Sequence, residues 1–250
     1  VQAMYDFTMR AFELSEKFRT PVILLSDEVV GHMREKIIMK PLPKETIEPT
    51  QIYASSPRED FFKGANSMVE GQLHDELGRR IGHIAPKSGD FINKICSKIT
   101  DNIKEIADVE AFCMEDAEVA ILAYGSVARS SMNAIKLARG IKDDRVRAKF
   151  RIVKDLFVRG VPATIQTDYS HLKVGLIKVN TVWPFPEEKI QELARNVDMV
   201  IVPEMNTGKY CREVRRALWD KTVISMPKCG GEIHSPNEIL DRILEEVWCK

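Results

Sequence analysis

The chain has 250 residues, 44% of them hydrophobic and 30% charged, which is enough apolar material for one or two domains with their own cores. Its 37 basic and 37 acidic side chains cancel, so nothing in the overall charge favours the phosphate-neutralising contacts that dominate nucleic-acid binding, and no nucleic-acid partner is expected. It contains no uncharged apolar run of about 18 residues, and the opening VQAMYDFTMRAF mixes acid and base among its apolar positions, so neither a membrane span nor a secretory signal is read in it.

In chain order, Met4, Phe7, Ala11, Leu14 and Phe18 recur at steps of three and four, which places one apolar stripe on a helix ending before Pro21. PVILLS (21–26) follows and reads as a short buried strand. A helix feeding directly into such a strand is the second half of a βαβ unit, so a first strand and a larger sheet are expected upstream. Between 36 and 64, Pro41, Pro43, Pro49 and Pro57 break the periodicity and predict a linker or wrapping arm. Ile92, Ile95, Ile99, Ile103 and Ile106 then mark one further amphipathic helix, with Ser88 or Asp90 as its cap.

Beyond Asp116 the elements alternate regularly. EVAILAY, VGLIKV, MVIVPE and TVISM are apolar runs without polar alternation. Helical patterns separate and follow them at 127–139, 187–195, 210–218 and 237–247. Together they predict an α/β fold, a parallel sheet with helices on both faces. Residues 140–172 interrupt the rhythm. Val146, Phe150, Val153 and Phe157 suggest an added helix there, and ATIQT an added strand.

In such a sheet the strand-to-helix exits form the rim where ligands or other subunits meet the domain. Four exits share it. Gly125-Ser126 opens a helix, either as an ordinary turn with Ser126 as cap or as an anion site. Glu204, Asn206 and Gly208 combine an acceptor, an amide and a flexible backbone position, suited either to a capped loop or to orienting a polar ligand. Trp183-Pro184-Phe185-Pro186 is a stiff corner whose aromatics pack either within the domain or against a neighbouring subunit. The fourth exit runs from Pro227 to Gly231.

His32, His74 and His83 match no compact metal-binding spacing, so no metal site is assigned. Cys96, Cys113, Cys211, Cys229 and Cys249 are scattered and never form a CxxC pair, which fits reduced thiols in an intracellular protein. No cluster or structural zinc held by this chain alone is expected. No nucleophile and base fall together, so the chain is expected to lack a self-contained catalytic centre.

Six stretches carry a family resemblance in order: RTPVILLSDEVVGHMRE (19–35), HDELGRRIGHI (74–84), AILAYGSVARSSMNAIKLAR (120–139), VGLIKVNTVWPFPEEKI (174–190), VIVPEMNTGKYCREVRRAL (200–218) and GGEIHSPNEIL (230–240). Together they resemble the alpha subunit of 2-oxoacid:ferredoxin oxidoreductases. That resemblance implies three segments. Residues 1–36 would be the C-terminal end of a pyrimidine-type thiamine-binding domain, and 37–111 a proline-rich connector and helix. Residues 112–250 would be a transketolase C-terminal-like domain with an insertion near 140–172.

It also implies a cytoplasmic hetero-oligomer that oxidatively decarboxylates a 2-oxoacid, passes electrons to ferredoxin and transfers the acyl group to coenzyme A. This chain alone would bind no cofactor. Thiamine diphosphate and magnesium would sit on a beta subunit, and Fe–S clusters there or on a small ferredoxin-like subunit. The family's Tyr-Pro-Ile-Thr-Pro motif and activating carboxylate are not found in this sequence, so no catalytic residue carries over. The rim or interface candidates are Gly125, Ser126, Trp183, Phe185, Glu204, Asn206 and Gly208. Two other readings remain open at this point: a non-catalytic interaction domain on the same scaffold, and a small phosphate- or nucleotide-binding α/β domain.

Overall fold

The computed structural model describes residues 1–18, 20–40, 72–73, 80–141 and 172–248, and the chain divides into two units between Ile106 and Ala107. In the first unit the apolar stripe of the N-terminal segment lies on helix α1 (Gln2–Phe18), whose Phe18 is buried. Polar side chains tie α1 to its surroundings. Arg10 donates to the Glu105 carbonyl at 2.7 Å, and Gln2 exchanges hydrogen bonds of 2.7 and 3.1 Å with the Ile38 backbone. Asp27 caps the short α2 (Glu28–His32) by accepting from Val30 N at 2.8 Å.

Two expectations are corrected in this unit. PVILLS is not a buried strand: Val22, Ile23, Leu24 and Leu25 are 41%, 81%, 40% and 71% exposed, and among the described residues no strand lies beside them. An apolar run becomes a buried strand only when neighbouring strands take up its backbone groups. The isoleucine stripe, in turn, belongs to two helices, α3 (Ala85–Thr100) and α4 (Ile103–Ile106). Pro86 sits in the first turn of α3, where a missing N–H costs nothing, and Ser88 and Asp90 fall inside the helix instead of capping it. Asn102 ends α3 by donating to the Lys98 carbonyl at 2.9 Å, while its own carbonyl starts α4 by accepting from Glu105 and Ile106 at 3.0 Å.

The second unit contains β1 (Val109–Phe112), β2 (Val119–Tyr124), α5 (Gly125–Ala138), β3 (Val174–Val179), α6 (Glu187–Leu193), β4 (Met199–Glu204), α7 (Lys209–Ala217), β5 (Thr222–Pro227) and α8 (Pro236–Trp248). The sheet order is β1-β3-β2-β4-β5. β2, β3, β4 and β5 run parallel, as their unbroken apolar character predicts. Successive side chains leave by opposite faces. Ile121, Leu176 and Ile201 meet Ile135 of α5 and Ile239 and Ile243 of α8 on one face. Leu122, Ile177 and Val200 meet Ile190 of α6 and Val214 of α7 on the other.

The all-parallel expectation is corrected at one edge. β1 is antiparallel to β3, from Val109 opposite Val179 to Phe112 opposite Leu176. Val109 and Phe112 are half-buried and Glu110 and Ala111 exposed, so the strand lacks the apolar continuity that marks the interior strands. Its approach depends on Gly175, because a Cβ there would stand 2.7 Å from the Cys113 carbonyl oxygen and closer still to the Met114 sulfur. Arg139 locks this corner, donating to the carbonyls of Val174 at 2.8 Å and Cys113 at 3.0 Å and pairing with Asp116 at 2.7 Å.

The added helix at 146–157 and the strand ATIQT lie outside the described residues. Among the described residues no helix is long and apolar enough to cross a membrane.

Candidate functional site

β2 and β4 are neighbours, and their ladder pairs Val119–Ile121 with Met199–Ile201. From β2 the chain enters α5, which packs with the Ile121 face, and from β4 it enters α7, which packs with the Leu122 face. Helices leaving adjacent parallel strands on opposite faces make a topological switch point, and the crevice at the carboxyl ends is where open α/β sheets take ligands. Four of the sequence candidates, Gly125, Ser126, Glu204 and Asn206, flank that crevice, and Gly208 closes it as the cap residue of α7.

The β4 exit is built around two side chains that satisfy the start of α7. The Asn206 Oδ1 accepts from the N–H groups of Gly208 and Lys209, both at 2.9 Å. Glu204, 1% exposed, accepts from Tyr210 N at its Oε2 and from Cys211 N at its Oε1, both at 2.9 Å. Four backbone donors that a helix start ordinarily leaves open are thus all filled from within the chain. Gly208 makes the turn possible with φ +83°, and a Cβ on it would stand 2.8 Å from the Ser225 hydroxyl.

Tyr124, the last residue of β2, joins the two exits. Its hydroxyl donates to Glu204 Oε2 at 3.1 Å and accepts from Asn206 Nδ2 at 2.8 Å. Burial, reinforced by the adjacent Glu204 carboxylate, pushes its phenol up to about 12, so it remains a donor at neutral pH. Ser126 does not cap α5, whose cap residue is Tyr124; its hydroxyl lies 3.5 Å from the Met205 sulfur, a second bridge across the crevice.

The corner resolves into an inner and an outer aromatic. Phe185 packs on Tyr210 with ring centroids 5.3 Å apart, and the Arg216 guanidinium stands 5.7 Å from the Phe185 centroid. Trp183 points outward and is 71% exposed, followed by a cis bond to Pro184. Behind it, Asp108 holds the end of β3 by accepting from Asn180 N at 2.9 Å and Thr181 N at 3.2 Å.

Past the Pro227–Gly231 turn, the β5 exit carries His234, Ser235 and Glu238, which were not among the candidates read in the sequence. Gly230 and Gly231 turn the chain at φ +103° and +85°, ahead of His234, which is 2% exposed. Burial and the Lys228 charge hold that imidazole below its usual range. Ser235 and Glu238 form a reciprocal capping box on α8: Glu238 N donates to Ser235 Oγ at 3.2 Å, and Ser235 N donates to Glu238 Oε2 at 2.6 Å. The signal for it was present in SPNE, a serine followed three residues later by a glutamate. Tyr124 was likewise marked, as the lone polar-tipped residue ending the run AILAY.

The Ser235 N–H, with the Lys228 ammonium 2.9 Å from Oε1, holds the Glu238 carboxyl at about 2, below its usual 4.5. A depressed carboxyl stabilises the fold above its unfolded value and stops doing so as pH falls through its folded value. The urea midpoint should therefore drop between about pH 4.5 and about pH 2, and Glu238→Gln should flatten that limb. An unchanged limb in the variant would contradict the assignment.

Among the described residues no group of three His, Cys, Asp or Glu stands close enough to hold a metal ion, and His74 lies outside them. Burial raises the thiols of Cys113 and Cys211, so neither is an activated nucleophile or a ready thiolate ligand. The donors at the rim suit orientation and docking, with the Tyr124–Glu204 pair joining both exits.

Residues 1–75 match the family model for the thiamine-diphosphate-binding domain of pyruvate flavodoxin/ferredoxin oxidoreductase, and residues 163–239 that for pyruvate:ferredoxin oxidoreductase core domain II. The 2-oxoglutarate synthase subunit KorA of Methanothermobacter marburgensis is 35% identical over 98% of this chain and 61% of its own length. The ketoisovalerate oxidoreductase subunit VorB of Methanothermobacter thermautotrophicus is 27% identical over 98% of this chain and 58% of its own length. A solved 2-oxoglutarate:ferredoxin oxidoreductase from Magnetococcus marinus, with 2-oxoglutarate, coenzyme A and succinyl-CoA bound, shares the fold. It aligns with a TM-score of 0.55 at 19% identity, over 73% of this chain and 27% of that one.

Proposed function

Because the chain belongs to the alpha-subunit family of the 2-oxoacid:ferredoxin oxidoreductases, we propose that it forms part of an enzyme converting a 2-oxoacid to an acyl-CoA with electrons passed to ferredoxin. The observation that carries this reading is the 35% identity to a 2-oxoglutarate synthase subunit across 98% of the chain. The chain spans 61% of the length of that relative, so the assembled activity also draws on polypeptide beyond the part matched.

In this reading 1–36 is the C-terminal end of the pyrimidine-type domain and 112–250 the transketolase C-terminal-like domain, with 37–111 connecting them. The bare run Val22–Leu25 supports the first part. Four consecutive apolar residues exposed by 40–81% are what a sheet strand looks like when its neighbours are supplied by other polypeptide.

Thiamine diphosphate, when bound, supplies the carbanion chemistry of the reaction. The rim donors described above, a phenol, an amide and a carboxylate already filled by backbone N–H groups, do not fit a magnesium or Fe–S site, and this reading assigns those groups to a beta subunit and a ferredoxin-like subunit. The part of this chain is placement. The Tyr124–Glu204–Asn206 bridge fixes the two exits beside the switch-point crevice. That rim, with Trp183, frames the approach of coenzyme A or seats a neighbouring subunit.

Reconstitution with a beta subunit should give viologen-dye reduction that requires both a 2-oxoacid and coenzyme A, and only when the polypeptide completing the pyrimidine-type domain is supplied. Dye reduction that needs no 2-oxoacid, or none at all in the completed assembly, would overturn the reading.

A further inference from the structure

The His234 imidazole is enclosed at the end of β5 with its two nitrogens unequally served. One ring N–H donates to the Met226 carbonyl, whereas among the described residues nothing stands within hydrogen-bonding reach of Nδ1. An enclosed lone pair without a donor is tolerated, but an enclosed N–H without an acceptor is rare. The ring therefore fits its place as the neutral imidazole, and a second proton would find no acceptor there.

The charged groups around it do not supply one. Lys228, at the end of β5, repels a positive ring. Glu238 on α8 attracts it, but its oxygens are taken by Lys228 at 2.9 and 3.2 Å and by Ser235 N at 2.6 Å. Glu232 on the loop is drawn to Lys228 at 3.5 Å, Glu204 on β4 is held by the start of α7, and Arg242, a turn further along α8, pairs with Glu246. Burial, ahead of the Lys228 charge, sets the ring below its usual 6.5.

The segment carrying the ring is fixed at both ends and lightly held between them. Lys228 N is bound to the Glu204 carbonyl at 2.8 Å, and Ser235 N to Glu238. Between them residues 229–232 are exposed, and a Cβ on Gly230 or Gly231 would meet nothing within 4 Å, so no neighbour braces that turn. What holds the segment inward is the Ile233 side chain against the core, its carbonyl 3.5 Å from Lys228 Nζ, and the His234 ring itself.

We infer that segment 229–234 at the β5 exit is a proton-operated latch, shut while the His234 imidazole is neutral and released by rotation about Gly230 and Gly231 when the ring takes up a proton. Because the ring binds its proton less readily shut than open, the shut form has its full advantage above pH 6.5. As pH falls below 6.5 the open form gains about tenfold for each unit separating the two values, and the gain levels off below the value of the shut ring. Glu238, held at about 2, stays ionised through this window, so α8 keeps its cap while the latch opens. Release withdraws Ile233 from the core, and this exit then presents the rim with an apolar surface that it hides at neutral pH. The device goes beyond the family's reaction and needs no other subunit.

The test uses the full 250-residue chain. Amide hydrogen exchange in peptides covering 229–235, corrected for the chemical rate at each pH, should lose about tenfold in protection between about pH 7.5 and about pH 5, while peptides from β4 and α5 keep theirs. Deuterium uptake at the ring carbon of His234 between its nitrogens should place the titration of that ring below 6.5. His234→Phe keeps a ring with no site for a proton and should hold the segment equally protected at both pH values. Protection that does not change with pH overturns the inference, as does a ring titrating at 6.5 or above, or a phenylalanine variant that opens as the wild type does. Should that variant fail to fold, the wild type decides alone: opening must follow the titration of the ring, and opening over any other interval overturns the latch.

Discussion

Glu204→Ala should destabilise the 107–250 unit by about 3–5 kcal/mol, since each buried donor left unsatisfied costs about 1–3 kcal/mol and a cavity adds to it. Three donors lose their acceptor together: the N–H groups of Tyr210 and Cys211 at 2.9 Å and the Tyr124 hydroxyl at 3.1 Å. The first turn of α7 also loses the negative charge at its positive end. Glu204→Gln keeps one carbonyl oxygen but presents an amide to one of the donors, so its cost should be smaller, about 1–2 kcal/mol. Urea unfolding followed by tryptophan fluorescence reads this unit selectively, because Trp183, Trp219 and Trp248 all lie in it. A loss below about 1 kcal/mol for the alanine variant would show that water replaces the carboxylate without penalty, against the burial seen here.

Gly175→Ala should cost about 1–3 kcal/mol, the usual range for overpacking, because the added methyl meets the fixed Cys113 carbonyl oxygen at 2.7 Å as well as the more compliant Met114 side chain. To admit it, β1 and the turn through Cys113, itself at φ +53°, must move away from β3. Gly208→Ala provides the contrast. There the only close neighbour is the rotatable Ser225 hydroxyl, and the penalty comes from placing alanine at φ +83°, about 1 kcal/mol. If the two variants unfolded at the same urea concentration, the tight contact between β1 and Gly175 would not be limiting.

The interior strands were legible because VAILAY, VGLIKV and MVIVPE carry almost no polar side chains, and a strand buried on both faces has no need of them. β1 was not legible. VEAF is too short and too exposed to show a period, and what recruits it is the missing side chain of Gly175, more than sixty positions along the chain. PVILLS failed for the opposite reason, since its pattern is that of a buried strand but burial requires neighbours that the pattern does not contain.

At the rim, the exits could be placed from the order of elements, and Asn206 and Glu204 stood out as polar groups after an apolar run. Their division of labour could not be foreseen. It depends on which side chain reaches which N–H in the first turn of α7, and on Tyr124 arriving from a strand eighty residues earlier in sequence. Ser126 shows the same limit, because a serine at a helix start is a fair cap by composition yet here turns its hydroxyl toward a methionine sulfur.

At the far margin, β1 is only four residues long and carries Glu110, tied to Lys178 at 2.9 Å and to Asn180 at 2.7 Å. A charged, abbreviated border of that kind terminates the peptide lattice. Its brevity and its charge together disfavour the joining of one sheet to another along that margin.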